Sequence, residues 1–200
     1  VAVSNAPYGV LLAAGASHRF GDDNKLLADI GGAPLVRRVA ERLLASGTAG
    51  LIVVTGFEAD KVRETLTGLD IQFADNPDFS EGLASSLRCG IAALPKGVAG
   101  AMIVLADMPG ITTALVDKLI STFQQEGGKK IVFPTRGGGD QGNPVIWPAH
   151  FFAELQTLTG DAGAKHLISA HEADTLGVPV DDEDALSDID RPEDLGNWRS

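Results

Sequence analysis

Short runs dense in valine, isoleucine and leucine alternate along the chain with stretches in which apolar residues return every three to four positions. The first kind predicts buried strands and the second amphipathic helices. Strands are expected at 8–12, 51–54, 71–73, 101–106, 131–134 and 145–147. Helices are expected at 34–46, where Leu35, Val36, Val39, Leu43 and Leu44 share a face and Gly47 ends the run, and at 58–66 and 115–123. A further helix leaves the polar loop 75–87 and closes near Leu94 and Pro95, and another is entered from the turn in 158–168. Strands and helices in this order predict an α/β fold, a mostly parallel sheet flanked by helices. No repeat, linker or low-complexity tract interrupts it, so residues 1–200 read as one domain.

Composition narrows the class. The chain is 44% hydrophobic, yet no apolar run reaches the 18 or more residues of a membrane-spanning helix, so no membrane partner is expected. A net charge of −11 argues against general binding of nucleic acid, which needs a basic face. The single cysteine, Cys89, reads as a small buried side chain and cannot close an internal disulfide, which suits a reducing, cytoplasmic compartment. Residues 1–7 lack the basic-then-apolar pattern of a signal peptide, and the missing initial Met is consistent with a longer parent chain.

Chemistry concentrates where the first strand ends. Ala13, Ala14, Gly15, Ala16 and Ser17 carry little side-chain bulk, so backbone N–H groups there can approach a ligand closely. Arg19 and Lys25 follow as two cations in an acidic chain. The blander reading is an ordinary loop with solvated cations. Neither G-x-G-x-x-G nor G-x-x-x-x-G-K-[ST] is present. Asp107, at the carboxyl end of the 101–106 strand, lies where open α/β sheets bind ligands, and a carboxylate there suits Mg²⁺ with phosphate oxygens. Pro109 and Gly110 separate it from the next helix and weaken its reading as a cap. Ser80 and Ser85 either cap the helix they precede or offer hydroxyls to a base, ribose or phosphate. Asp188 and Asp190 alternate around Ile189 and, if extended, point the same way. Residues 137–139 read as a surface hairpin, and the four histidines have no zinc-ligand spacing.

The run Leu12-Ala13-Ala14-Gly15-Ala16-Ser17-His18-Arg19-Phe20-Gly21, followed by Lys25, resembles the L-A-[AG]-G-x-S-x-R-[MF]-G…K signature of nucleotidyltransferases that load a nucleoside triphosphate. Glu81, Gly82, Ser85, Ser86 and Leu87 resemble the E-G-x-x-S-S-L stretch of the molybdenum cofactor cytidylyltransferases. Asp107-Met108-Pro109 is similar to that family's D-x-P, and Asp188-Ile189-Asp190-Arg191-Pro192 to its D-[IV]-D-T-P, with Arg191 replacing threonine. Gly142-Asn143-Pro144 resembles G-[HN]-P; cytidylyltransferases often have histidine where Asn143 stands, a change that keeps hydrogen bonding and removes a titratable group. Residues 160–165, with Asp161 and Lys165, resemble G-D-x-G-A-[RK].

This resemblance to the molybdenum cofactor nucleotidyltransferase family implies a three-layer, Rossmann-like fold of the nucleotide-diphospho-sugar transferase type. Residues 8–110 would bind nucleotide and 111–198 the acceptor. It implies transfer of CMP from CTP to the terminal phosphate of molybdopterin or the molybdenum cofactor, with release of pyrophosphate and with a molybdenum hydroxylase as the eventual recipient. The residues at 12–17, with Gly82 and Ser85, would hold the nucleotide, Arg19 the β- and γ-phosphates, and Lys25 the α-phosphate. Asp107 and Asp190 would hold Mg²⁺, Asp188 would support them, and Gly142, Asn143, Pro144, Asp161 and Lys165 would face the acceptor. Ala14, where guanylyltransferases often carry glycine, together with Glu81 and Gly82 through Ser86, tilts the base toward cytosine. The rivals are a guanylyltransferase using GTP, a cytidylyl- or uridylyltransferase acting on a sugar or polyol phosphate, and a non-catalytic cofactor chaperone.

Overall fold

A computed structural model describes residues 5–16, 20, 24–137, 139–160 and 164–198. Strand β1 (Tyr8–Ala13) lies inside the sheet, paired in parallel with β4 (Leu51–Thr55) on one side and β6 (Gly100–Leu105) on the other. Outside β4 comes β5 (Gln72–Asp75), also parallel. Outside β6 lie β8 (Val145–Pro148), then β7 (Ile131–Thr135), then β9 (Thr175–Pro179). Within this sheet only β8 runs against its neighbours, so the sheet is mostly parallel as expected.

Side chains alternate between the two faces of a strand, and each face is buried here. From β1, Val10 and Leu12 enter one core and Leu11 and Ala13 the other. The second core is covered by α1 (Leu35–Leu44), α2 (Ala59–Thr65) and α4 (Thr113–Gln125). The first is covered by α3 (Leu83–Ala92), α5 (Phe152–Leu155) and α6 (Lys165–Ala170). The result is three layers, helix on sheet on helix. Gly90 sets how closely α3 lies on the sheet, since a Cβ there would fall 2.4 Å from Val10 Cγ1 and 3.1 Å from Val54 Cγ2. That spacing matters because the start of α3 walls the candidate site.

Three elements depart from the hydrophobic pattern. The third strand lies at 72–75 rather than 71–73. The hairpin of β2 (Asp29–Ile30) and β3 (Ala33–Pro34) turns through Gly31 and Gly32, both at positive φ, and its strands are too short to show a period. β9 carries Gly177 and Pro179, residues that weaken any strand reading, and it forms as an edge strand along β7. The chain passes from β1 to β4 and β5 on one side and then crosses to β6 on the other. A crevice therefore opens at the carboxyl ends of β1 and β6, the switch point where such sheets take ligands.

Candidate active site

Leu12 of β1 and Leu105 of β6 both face this crevice, which holds a cavity of about 730 Å³. The turn after β1 contributes Ala14, Gly15 and Ala16 to its wall. Phe57, Phe79, Gly82 and Ser86 line it as well, and Lys25 and Asp107 supply its charged groups. Lys25 opens a short 3-10 turn, Lys25–Leu27, whose preceding residue, buried Asn24, accepts from the Leu26 N–H at 3.0 Å. Asp107 follows β6 and does not cap α4. That duty falls to Thr112, whose hydroxyl accepts from Leu115 N–H at 3.1 Å.

Lys25 and Asp107 meet across 82 residues of sequence. The Lys25 ammonium donates to Asp107 Oδ2 at 2.6 Å and to the Ile189 carbonyl at 2.7 Å, and lies 3.7 Å from Asp190 Oδ1. The 188–190 segment reaches this point because the Ile189 N–H donates to the Asp107 carbonyl at 2.9 Å while the Ile189 side chain is fully buried. Asp188 and Asp190, on either side of it, turn toward Asp107, and oxygens of all three carboxylates lie within 4.8 Å of one another. Asp194 fixes the bend that follows, accepting from the N–H groups of Asp190 and Arg191 at 3.0 and 2.8 Å.

Burial pushes the Asp107 carboxyl above its ordinary range; Lys25 opposes that and the charge of Asp188 adds to it. Asp107 Oδ1 is buried with no partner among the described residues. Three carboxylates face one ammonium, so the cluster keeps an excess of negative charge when ionised. An all-oxygen donor set with one orphaned buried oxygen fits a hard divalent cation such as Mg²⁺.

Loop 76–82 is organised by buried Asn76, whose side-chain amide donates to Ser85 Oγ at 2.9 Å and Ser86 Oγ at 3.0 Å. Ser85 in turn donates to the Gly82 carbonyl at 2.8 Å and does not line the cavity. Its neighbour Ser86 does.

A second cavity of about 230 Å³ adjoins the first, and Leu12, Leu83 and Leu105 line both, so the two form one groove. Leu87, Trp147 and Ile168 make its walls apolar, while Gln141, Asn143 and Lys165 supply polar groups. Gly142 also lines it, packed so that a Cβ would lie 3.0 Å from Leu186 Cδ1.

Of the residues singled out in the sequence, Leu12, Ala14, Gly15, Ala16, Gly82, Lys25 and Asp107 surround the larger cavity, and Asp190 joins Asp107 in the carboxylate cluster. Gly142, Asn143 and Lys165 gather at the smaller one. Ser17, Arg19 and Asp161 lie outside the described residues. Ala13 is buried in β1, Ser85 is taken up by the loop, and Pro144 lines neither cavity. Cys89 is half-buried rather than buried, its thiol 3.3 Å from the Asp75 carbonyl. His171 pairs with Glu154 at 2.9 Å and His150 packs on Phe151, consistent with surface and packing roles. Sequence reading passed over Phe57, Phe79, Gln141 and Trp147. Phe57 is placed by sheet register, which the sequence alone does not show: β1 and β4 pair Ala13 with Thr55, which sets residue 57 beside the turn after Ala13.

Comparison with known proteins finds relatives that match almost the whole chain. A nicotine blue oxidoreductase of Paenarthrobacter nicotinovorans is 28% identical over 191 residues, covering 94% of this chain and 93% of its own. A molybdenum cofactor guanylyltransferase of Cereibacter sphaeroides is 28% identical over 199 residues, 96% of this chain and 95% of its own. The crystal structure of the Mycobacterium tuberculosis Rv0371c homologue from Mycobacterium sp. strain JC1 is 31% identical with a TM-score of 0.81, covering 96% and 94% of the two chains. Residues 9–175, which include all of β1 but Tyr8, the turn after it, Lys25, Asp107 and the residues lining both cavities, match the MobA-like NTP transferase domain, and the chain belongs to that family.

Proposed function

We propose that this protein transfers CMP from CTP to the terminal phosphate of molybdopterin or the molybdenum cofactor. An oxygen of that phosphate bonds to the α-phosphorus, the bond to the β-phosphate bridge oxygen breaks, and pyrophosphate leaves with its electron pair. The observation that carries the reading is the convergence of Asp107, Asp188 and Asp190, with Lys25 paired to Asp107, at the charged end of a groove that continues into a second, cation-bearing cavity. Names of relatives support the acceptor, molybdenum cofactor guanylyltransferases among them.

Two anions must be brought together before the oxygen can attack in line, so the protein's task is positioning and charge compensation. Amides of Ala14, Gly15 and Ala16 are the groups suited to cradle phosphates. Lys25 is a flexible point charge suited to the α-phosphate. Arg19 would take the β- and γ-phosphates. Asp107, Asp188 and Asp190 would hold Mg²⁺, which when bound polarises the α-phosphoryl group. Asn143 and Lys165 would hold the acceptor. No general base is needed, because the acceptor phosphate is already ionised near neutral pH.

A second reading, GTP as donor, is favoured by the guanylyltransferase names among the relatives; Ala14 favours CTP. Pyrophosphate release measured with Mg²⁺, molybdopterin or its molybdate complex, and each of the four triphosphates separates them. CTP should be preferred. Release with GTP alone would replace the base and keep the transfer, and release with none would overturn the reading, leaving room for the redox chemistry in the name of the Paenarthrobacter relative.

A further inference from the structure

Phe57 lines the larger cavity and is half-buried, yet it joins neither hydrophobic core. Its ring centre lies 6.4 Å from that of Phe79 with the planes tilted by 59°, an aromatic pair facing the same space. Its position is firmly set. The Phe57 N–H donates to the Ala14 carbonyl at 3.1 Å, tying it to the turn after β1. Before it, Gly56 has no room for a side chain, since a Cβ would fall 2.8 Å from Phe79 Cβ and 2.9 Å from Ala14 Cβ. After it, Glu58 takes φ 49°, a left-handed conformation that a residue with a side chain keeps only where its surroundings impose it. Residues 56–58 thus lock Phe57, Phe79 and the Ala14 turn into one unit.

Topology separates this unit from the charged end. Phe57 lies just beyond β4 and Asp107 just beyond β6, with β1 between them. The two strands are therefore two sheet spacings apart, about 9.5 Å. One side of the Ala14–Ala16 turn is cationic and carboxylate-rich, and the other is aromatic. A nucleotide is polar in the same sense, anionic at one end and a flat ring at the other.

We propose that Phe57 and Phe79 form the platform on which the base of the nucleoside triphosphate rests, a role that builds on the nucleotidyltransferase reading above. Every base has a π-face, so the platform supplies affinity common to all of them. Choice between bases then falls to edge contacts from Ser80, Ser86 and the backbone of Gly82, which line the same cavity.

Calorimetric titration of the full chain with CTP, GTP and inorganic tripolyphosphate, each with Mg²⁺, tests this in the wild type, Phe57→Leu and Phe57→Trp. Phe57 is chosen because Phe79 also packs against a core. Phe57→Leu should weaken both nucleotides about tenfold and leave tripolyphosphate unchanged, and Phe57→Trp should retain nucleotide affinity. The platform is refuted if Phe57→Leu leaves nucleotide binding intact, or if tripolyphosphate weakens by the same factor. Wild-type protein that takes tripolyphosphate but no nucleotide would instead remove the nucleotidyltransferase reading, and the platform with it.

Discussion

The Lys25 ammonium lies 2.6 Å from Asp107 Oδ2 and 3.7 Å from Asp190 Oδ1, two of the three carboxylates that would hold a metal. In this arrangement the lysine acts as the counter-ion of the cluster. Were Asp107, Asp188 and Asp190 to hold a divalent cation, its charge would replace that of the ammonium, and Lys25 would be free to reach an anion, so metal and substrate binding would move the same side chain. Lys25→Met should therefore lower stability without metal. Breaking a buried pair costs about 3–5 kcal/mol, and partial exposure of both groups reduces this to about 2 kcal/mol. Mg²⁺ or Mn²⁺ should restore more stability in the variant than it adds to the wild type, and pyrophosphate release should fall. Thermal unfolding with and without metal measures this; equal stabilisation of both proteins would mean that the lysine does not compete for the site.

Gly110, three residues after Asp107, packs against the segment that leads to Asp188 and Asp190. A Cβ there would fall 2.1 Å from the Asp184 carbonyl oxygen and 2.6 Å from Trp198 Cη2, and backbone cannot swing aside as a flexible side chain can. The segment it would displace carries Asp188 and Asp190. Gly110→Ala should cost about 1–3 kcal/mol by overpacking and weaken Mn²⁺ binding about tenfold or more, as loss of a supporting contact does. Paramagnetic titration of Mn²⁺ gives the second number. An unchanged affinity would show that the carboxylates keep their places without this contact.

What could be read from the sequence was local. The β1 run, the small-residue turn and an acid closing the 101–106 strand each occupy a few neighbouring positions, and the alternation of Asp188 and Asp190 about Ile189 already placed them on one side. The family resemblance put Lys25 and Asp107 in one site, but their direct ion pair, which joins residues 82 apart, could not be read from local pattern. The serines show the limit most clearly. Successive helical residues point about 100° apart, so the step from Ser85 to Ser86 decides which hydroxyl faces a ligand, and that register depends on where Asn76 grips the helix start. Phe57 was invisible for a related reason: its neighbours are set by strand pairing, and nothing in its own segment marks it.

Asp75, at the end of β5, offers a test by pH. Its Oδ1 accepts from the Arg63 guanidinium and, at 2.7 Å, from the hydroxyl of fully buried Thr55. Arg63 first and then Thr55 hold its carboxyl below the ordinary 3.8, against a smaller opposing effect of burial. A carboxyl depressed in the folded state stabilises above its unfolded value and loses that contribution as pH falls through the folded one. Asp75→Asn should therefore be less stable than the wild type at pH 7, and the gap should close as pH drops below about 3.8. The carboxylate is mostly exposed, so the gap should be small and should shrink with added salt. Urea unfolding from pH 7 to 3 at low and high salt measures it. A gap constant across that range would assign the stabilisation to the neutral hydrogen bond from Thr55 and not to the charge shared with Arg63.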